Sequence, residues 1–208
     1  MGSSGRVHDR AILDALEGMD PVPVNATVWR VTGAGRDPIR GSAANGRWSP
    51  GGTVEVLYTS LERDGALAEI GFRLSLEPVW PSRIQHEIHE IAAQTERTLR
   101  FADIPSLAAY GVDTSSYESF DYDSTQALAA AAHFLEFDGL LVPSARHRSS
   151  NLVIFMDRDA GGFLEIKQTN PVDWTAWRMS HGGRIHLGML AGFKSEPRPA
   201  SRRNTRPD

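Results

Sequence analysis

Between Val54 and Leu74 the hydropathy of the chain changes period. Val54-Glu55-Val56-Leu57-Tyr58-Thr59-Ser60 repeats every two residues, as a strand does, placing Val54, Val56, Tyr58 and Ser60 on one face and Glu55, Leu57 and Thr59 on the other. From Asp64 the repeat becomes helical, and Ala66, Leu67, Ile70 and Leu74 make a stripe for burial. Glu69 falls beside Ala66 and Ile70 rather than opposite them, so its carboxylate is expected near the edge of the core.

The strand is preceded by a polar, glycine-rich loop, Gly41 to Gly52, with Arg47 and Trp48 at its centre. Glycine lets backbone approach a ligand closely, arginine forms paired hydrogen bonds with phosphate, and tryptophan stacks on a ligand or anchors a core. An arginine turn, a strand ending in hydroxyls and a helix with one acid together suggest a site for an anionic nucleotide. Two further segments contribute to it. Arg30 lies inside the apolar strand Val28 to Thr32, where a buried guanidinium needs an acid or an anion, a solvent-facing side chain or a structural salt bridge being the plainer alternative. The segment Pro143 to Asn151 is a hydroxyl-bearing loop between two apolar strands, Gly139 to Pro143 and Asn151 to Phe155.

Two other motifs invite chemistry and fail on spacing. Gly33-Ala34-Gly35 follows a strand, but Pro38 stands at the third glycine position of a dinucleotide fingerprint and no amphipathic helix follows, so the segment reads as a turn. His86-Glu87-Ile88-His89-Glu90 lacks the H-E-x-x-H spacing of a zinc helix, and in a strand its histidines point to opposite faces. No metal is expected. Elsewhere the pattern predicts a helix around Ala11 to Leu16 stopped by Pro21 and Pro23, strands at Ile84 to Ile91, Arg97 to Phe101 and Phe163 to Thr169, and a short helix from Ile104 to Tyr110. A helix from Gln126 to Phe137 is expected to be capped by Ser124 and Thr125, after a loop or site lid from Asp113 to Asp123.

The chain of 208 residues is long enough for one domain with a stable core. It has no cysteine, which excludes disulfides and thiolate chemistry. Residues 194–208 hold five basic and two acidic side chains in a chain of net charge -4, so residues 1–193 carry -7. An acidic body argues against a nucleic-acid surface, and the basic tail reads as a solvated, disordered end. Without an apolar signal core or a membrane-length apolar run, the protein is expected to be cytoplasmic.

The ordered set Arg30, Asn45-Gly46-Arg47-Trp48, Val56 to Ser60, Ala66-Leu67-Ala68-Glu69, Val142 to Arg146 and Asn151 to Phe155 resembles the RES-domain family, over about residues 26–170. These are toxins of bacterial RES-Xre toxin-antitoxin pairs. The resemblance implies an α+β, ADP-ribosyltransferase-like fold with mixed, mainly antiparallel sheets and surrounding helices. It implies residues 1–25 as an N-terminal extension, 26–193 as the RES domain and 194–208 as the tail. It also implies cleavage of the nicotinamide-ribose bond of NAD+, as substrate and without a metal, with the ADP-ribose passed to water or phosphate.

By the same resemblance Glu69, Arg30 and Tyr58 are the catalytic residues. Glu69 meets the ribose hydroxyls, and Tyr58 stacks on nicotinamide. Arg47, Trp48, Ser60, Ser144 and Asn151 bind the dinucleotide, with Arg30 and Arg47 on its pyrophosphate. Ser49 stands where the family often has asparagine. The implied partners are an Xre-like antitoxin, through which alone nucleic acid would be reached, and a second copy in a homodimer. Two other readings remain: a mono-ADP-ribosyltransferase acting on a protein such as phosphoribosyl pyrophosphate synthetase, and a nucleotide- or protein-binding module without turnover.

Overall fold

The structure, a computed structural model, describes residues 8–49, 54–81, 83–157 and 163–189. It divides after Val172 into two compact units. In the first, helix α1 (Arg10–Glu17) is followed by β1 (Val22–Gly33), β2 (Val56–Ser60), α2 (Arg63–Ser75) and β3 (His86–Arg100). Two short 3-10 turns, Pro105–Tyr110 and Thr114–Ser116, lead into α3 (Asp123–Phe134), β4 (Gly139–Pro143), β5 (Ser150–Phe155) and β6 (Leu164–Pro171). The second unit contains α4 (Trp174–Met189), whose Trp174 and Trp177 rings meet edge to face.

The strands pair in the order β1-β2-β5-β4-β3-β6, and β1 also pairs with β3, so five strands close a circuit with β6 attached to β3. Every pairing is antiparallel except β3 with β4. The fold is therefore mixed α+β with a mainly antiparallel sheet. Alternation along each strand feeds two separate cores. Val56 of β2, Leu140 and Val142 of β4, and Val153 and Phe155 of β5 face a core completed by Ile12 and Leu16 of α1 and Leu128, Ala129, Ala131 and Ala132 of α3. Leu57, Leu152 and Ile154 face the other way and join Val28, Ile91 and Ala93. Alanine on α3 brings that helix close to the sheet, and α1 is part of the core rather than an appendage to it.

Several expected boundaries move. Gly18, not a proline, ends α1, and Pro23 lies within β1, where the pairing with β3 shifts between Val22 and Val24. An irregular ladder is where a residue without an N–H is tolerated. The separate strands expected at residues 84–91 and 97–101 are one strand, because β1 pairs along most of it. The Asp138 carboxylate accepts the backbone N–H groups of Glu96 and Arg97 at 2.9 and 2.8 Å, and Thr95 and Thr98 bond each other at 2.6 Å. Helix α3 starts at Asp123 without a side-chain cap. Ser124 instead accepts from the Asp113 N–H, and Thr125 donates back to the Tyr122 carbonyl from inside the first turn. The helix ends at Phe134 rather than Phe137, and Glu136 takes a left-handed φ of 64° just beyond it.

Candidate active site

A cavity of about 310 Å³ opens where β1, β2, α2 and the loops around residues 42–48, 118–122 and 143–146 meet. Its size lies at the lower end of the range for small-molecule sites. Seven of the eight residues singled out in the sequence line it: Arg30, Arg47, Trp48, Tyr58, Ser60, Glu69 and Asn151. Ser144 stands behind the wall.

The arginine turn is built from both sides. The Gly46 and Ser49 backbones bond each other reciprocally, at 3.2 and 3.1 Å, and the Trp48 N–H donates to the Tyr58 hydroxyl at 2.9 Å. A Cβ on residue 46 would come within 2.9 Å of that hydroxyl, so only glycine admits the contact. Gln126 on α3 donates to the Asn45 side chain and, at 2.9 Å, to the Gly46 carbonyl. Trp48 is buried in the core while it lines the cavity, and Ser49 is fully buried with its hydroxyl on the Val54 carbonyl at 3.4 Å. Burial pushes the Tyr58 phenol up, the Trp48 hydrogen bond working against this, so Tyr58 is neutral.

Held by this turn, the Arg47 guanidinium lies 4.8 and 5.0 Å from the Tyr117 and Tyr122 ring centres. Its Nη2 donates to the Ser119 carbonyl at 3.1 Å, while Nη1 is buried with no hydrogen-bond partner among the described residues. A buried cationic donor left unpaired is costly, and an anion entering the cavity removes that cost. Arg30 donates from Nη1 to the carbonyls of Pro38 and Arg40, both at 3.0 Å, so part of its fork braces the loop after β1. Burial draws its pKa down and Asp37 opposes the shift; arginine titrates too high for this to discharge it.

Glu69 is aimed by two donors from different elements. Ser144 Oγ donates to its Oε1 at 2.6 Å, and Asn151 Nδ2 donates to the same oxygen at 3.1 Å. Ser144 in turn accepts the N–H groups of Arg146 and His147, at 3.1 and 3.2 Å, which polarise its hydroxyl toward the acid. Among the described residues nothing bonds Oε2. Ser144, expected to hold the nucleotide, has its hydroxyl on Glu69. Ser60, just before α2, accepts from the Glu62 N–H at 3.4 Å, and Ser60 and Ser149 leave room for no side chain at Gly65.

Three side chains that were given no role from the sequence complete this wall. Arg73 and Phe72 lie four and three residues after Glu69, the helical spacing that repeats one face, and both reach the cavity. Arg146, from the loop after β4, lies 3.6 Å above the Phe72 ring. Burial lowers its pKa, with Glu69 opposing and Arg47 adding to the shift. Four arginines and one glutamate are thus the charged side chains of a cavity in a chain of net charge -4. The histidines of the 86–90 segment take no part. His89 is buried between Thr32 and Thr169, at 2.8 and 2.9 Å, and Gly33 to Gly35 form a turn away from the cavity. Among the described residues no group of three His, Asp or Glu side chains is placed to hold a metal, and no helix is long and apolar enough to cross a membrane.

Comparison with known proteins matches residues 27–178 to the family described as RES domain. The protein named NAD(+) phosphorylase MbcT, from Mycobacterium tuberculosis (strain ATCC 25618 / H37Rv), is 22% identical over 167 residues, 77% of this chain and 90% of that protein. A probable NAD(+) phosphorylase of the same organism, Rv3189, is 34% identical over 109 residues, 52% of this chain and 50% of that protein. Among solved structures the M. tuberculosis MbcT-MbcA toxin-antitoxin complex aligns with a TM-score of 0.69 and 20% identity, over 82% of this chain and 97% of that one. The likeness shows a shared fold.

Proposed function

The chain belongs to the RES domain family, and from that premise we propose that it is the toxin of a toxin-antitoxin pair and cleaves the nicotinamide-ribose bond of NAD+. The observation that carries this reading is one carboxylate, aimed from behind by Ser144 and Asn151, in a cavity whose other charged groups are four arginines. The names of the relatives, NAD(+) phosphorylases, and the toxin-antitoxin complex among the solved structures support it. We read the mainly antiparallel sheet with its helices as ADP-ribosyltransferase-like.

Heterolysis of the bond leaves its electron pair on nicotinamide, which departs neutral, and positive charge develops on the ribose. Glu69 Oε2 stabilises that charge and holds the ribose hydroxyls. Arg47 Nη1 and the Arg30 fork take the pyrophosphate, which fixes the sugar in place while the bond breaks. Trp48, Tyr58 and Ser60 form the wall against the nicotinamide half. A lone pair of the acceptor then closes on the ribose carbon; phosphate is the acceptor that the relatives' names favour. An Xre-like antitoxin restrains the activity, and the toxin acts in the cytoplasm as a homodimer.

The test is nicotinamide release from NAD+ by the purified protein, with and without inorganic phosphate. Glu69→Ala is expected to lose roughly 10²- to 10³-fold, the usual scale for removing a group that meets developing charge. Full activity in that variant rejects the site. Tight NAD+ binding without release would mean a binding module, and transfer of label from NAD+ to one protein band in lysate would mean a protein ADP-ribosyltransferase.

A further inference from the structure

The cavity of about 310 Å³ is lined by aromatic side chains as well as by the charged ones, Phe72 and Phe120 among them. A run of contacts links Glu69 to one of these rings. Arg146 comes next, two residues after the Ser144 that bonds Glu69, with its guanidinium 3.6 Å above the Phe72 ring. Phe120 lies 6.0 Å from the same guanidinium, its ring plane 28° from that of Phe72 with centres 6.2 Å apart. Arg47 and Arg146 bond the carbonyls of Ser119 and Glu118, the two residues before Phe120, so the ring stands beside the guanidinium assigned to the pyrophosphate, in the cavity that holds the acid assigned to the ribose.

Phe120 is 58% exposed although it lines the cavity. The chain before it is fastened at three successive residues. The Tyr117 hydroxyl donates to the Pro143 carbonyl at 2.7 Å, the Glu118 carbonyl accepts from Arg146 at 2.6 Å, and the Ser119 carbonyl accepts from Arg47 at 3.1 Å. An apolar ring left in water immediately after such a run is presented by a fixed loop, at little ordering cost to a ligand that covers it. Base-on-aromatic stacking is the contact such a ring offers beside cationic groups.

We propose that Phe120 is the stacking platform for the purine base of the dinucleotide, and so sets the preference of this enzyme for a dinucleotide over a mononucleotide. The proposal rests on the NAD+ reading for its choice of ligand. Its test compares turnover of NAD+ with that of nicotinamide mononucleotide, which keeps the scissile bond but has no adenosine. Phe120→Ala is expected to lower the ratio of kcat/KM for NAD+ to that for the mononucleotide roughly tenfold, through KM, and Phe120→Trp to restore it.

Calorimetric titration with ADP-ribose reads the same contact without turnover and is expected to weaken by about the same factor in Phe120→Ala. An unchanged ratio, equal losses on both substrates or unchanged ADP-ribose affinity would overturn the proposal. A protein that cleaves neither substrate yet binds ADP-ribose through Phe120 would uphold the platform and reject the catalytic reading.

Discussion

Two carboxylates in this molecule are held in the same way in different surroundings. Asp138 takes two hydrogen bonds on Oδ2, and Glu69 takes two on Oε1. The donors to Asp138 are backbone N–H groups of β3, and the acid is 3% exposed, a brace for a strand. The donors to Glu69 are side chains from the loop after β4 and from β5, and the acid opens onto a cavity. Backbone donors are fixed by the fold itself, so the acid they hold serves the fold. The side-chain donors to Glu69 come from separate elements and leave its second oxygen without a partner among the described residues.

The comparison is broken most directly by exchanging the readouts. Glu69→Ala, with its loss of nicotinamide release, is expected to leave the urea midpoint near that of the parent. If its stability falls as far as its activity, Glu69 is a brace like Asp138. Asp138→Ala is expected to do the reverse, costing about 3 kcal/mol of stability because two backbone donors lose a charged acceptor, with the activity of the folded fraction kept. Urea titration and activity normalised to folded protein separate the two outcomes.

A smaller effect sharpens the contrast. Ser144→Ala removes one of the two donors that aim Glu69 and is expected to lower kcat roughly tenfold with KM little changed, the scale of one hydrogen bond to a charged group. Threonine at this position, which keeps the hydroxyl, should recover part of the loss. An increase in KM with kcat unchanged would return Ser144 to nucleotide binding.

The smallest effect concerns a second brace, His89. Burial lowers its pKa from 6.5, Glu87 opposing and Arg30 adding to the shift, and both ring nitrogens meet threonine hydroxyls, which a neutral imidazole satisfies as donor and acceptor. As pH falls through 6.5 the unfolded chain takes the proton before the folded one does, so stability is lost in the window below 6.5. His86, lowered by burial as well, adds in the same direction. Urea midpoints at about pH 7.5 and about pH 5.5 should differ by less in His89→Gln than in the parent. Equal pH dependence in the two would remove His89 from the set of braces.

Much of the site was legible because its parts are local. The alternation of Val54, Val56 and Tyr58, the helical stripe around Glu69, the turn at Gly46 and Arg47, and the strands on either side of Ser144 to Ser149 each follow from neighbours in the chain. The ordered motifs were sufficient to point to the family. Their limits appear at β3 and α3. The continuous strand from His86 to Arg100 exists because β1 runs beside it, and Ser124 turned from capping α3 to bonding Asp113. Neither partner is near in sequence.

What the sequence determined by itself was therefore periodicity and residue chemistry: which segments are strands or helices, and that arginines, hydroxyls and one helix-borne acid are present to serve an anion. Only the tertiary structure decided which of them meet. The antiparallel pairing of Ser60 with Asn151 and of Pro143 with Ser150 brings Asn151 and the loop that carries Ser144 together beside α2. That makes Ser144 a support for Glu69 and carries Arg146 and the Phe120 loop to the same cavity. Side-chain direction and strand register depend on contacts between residues far apart in the chain, and no local pattern encodes them.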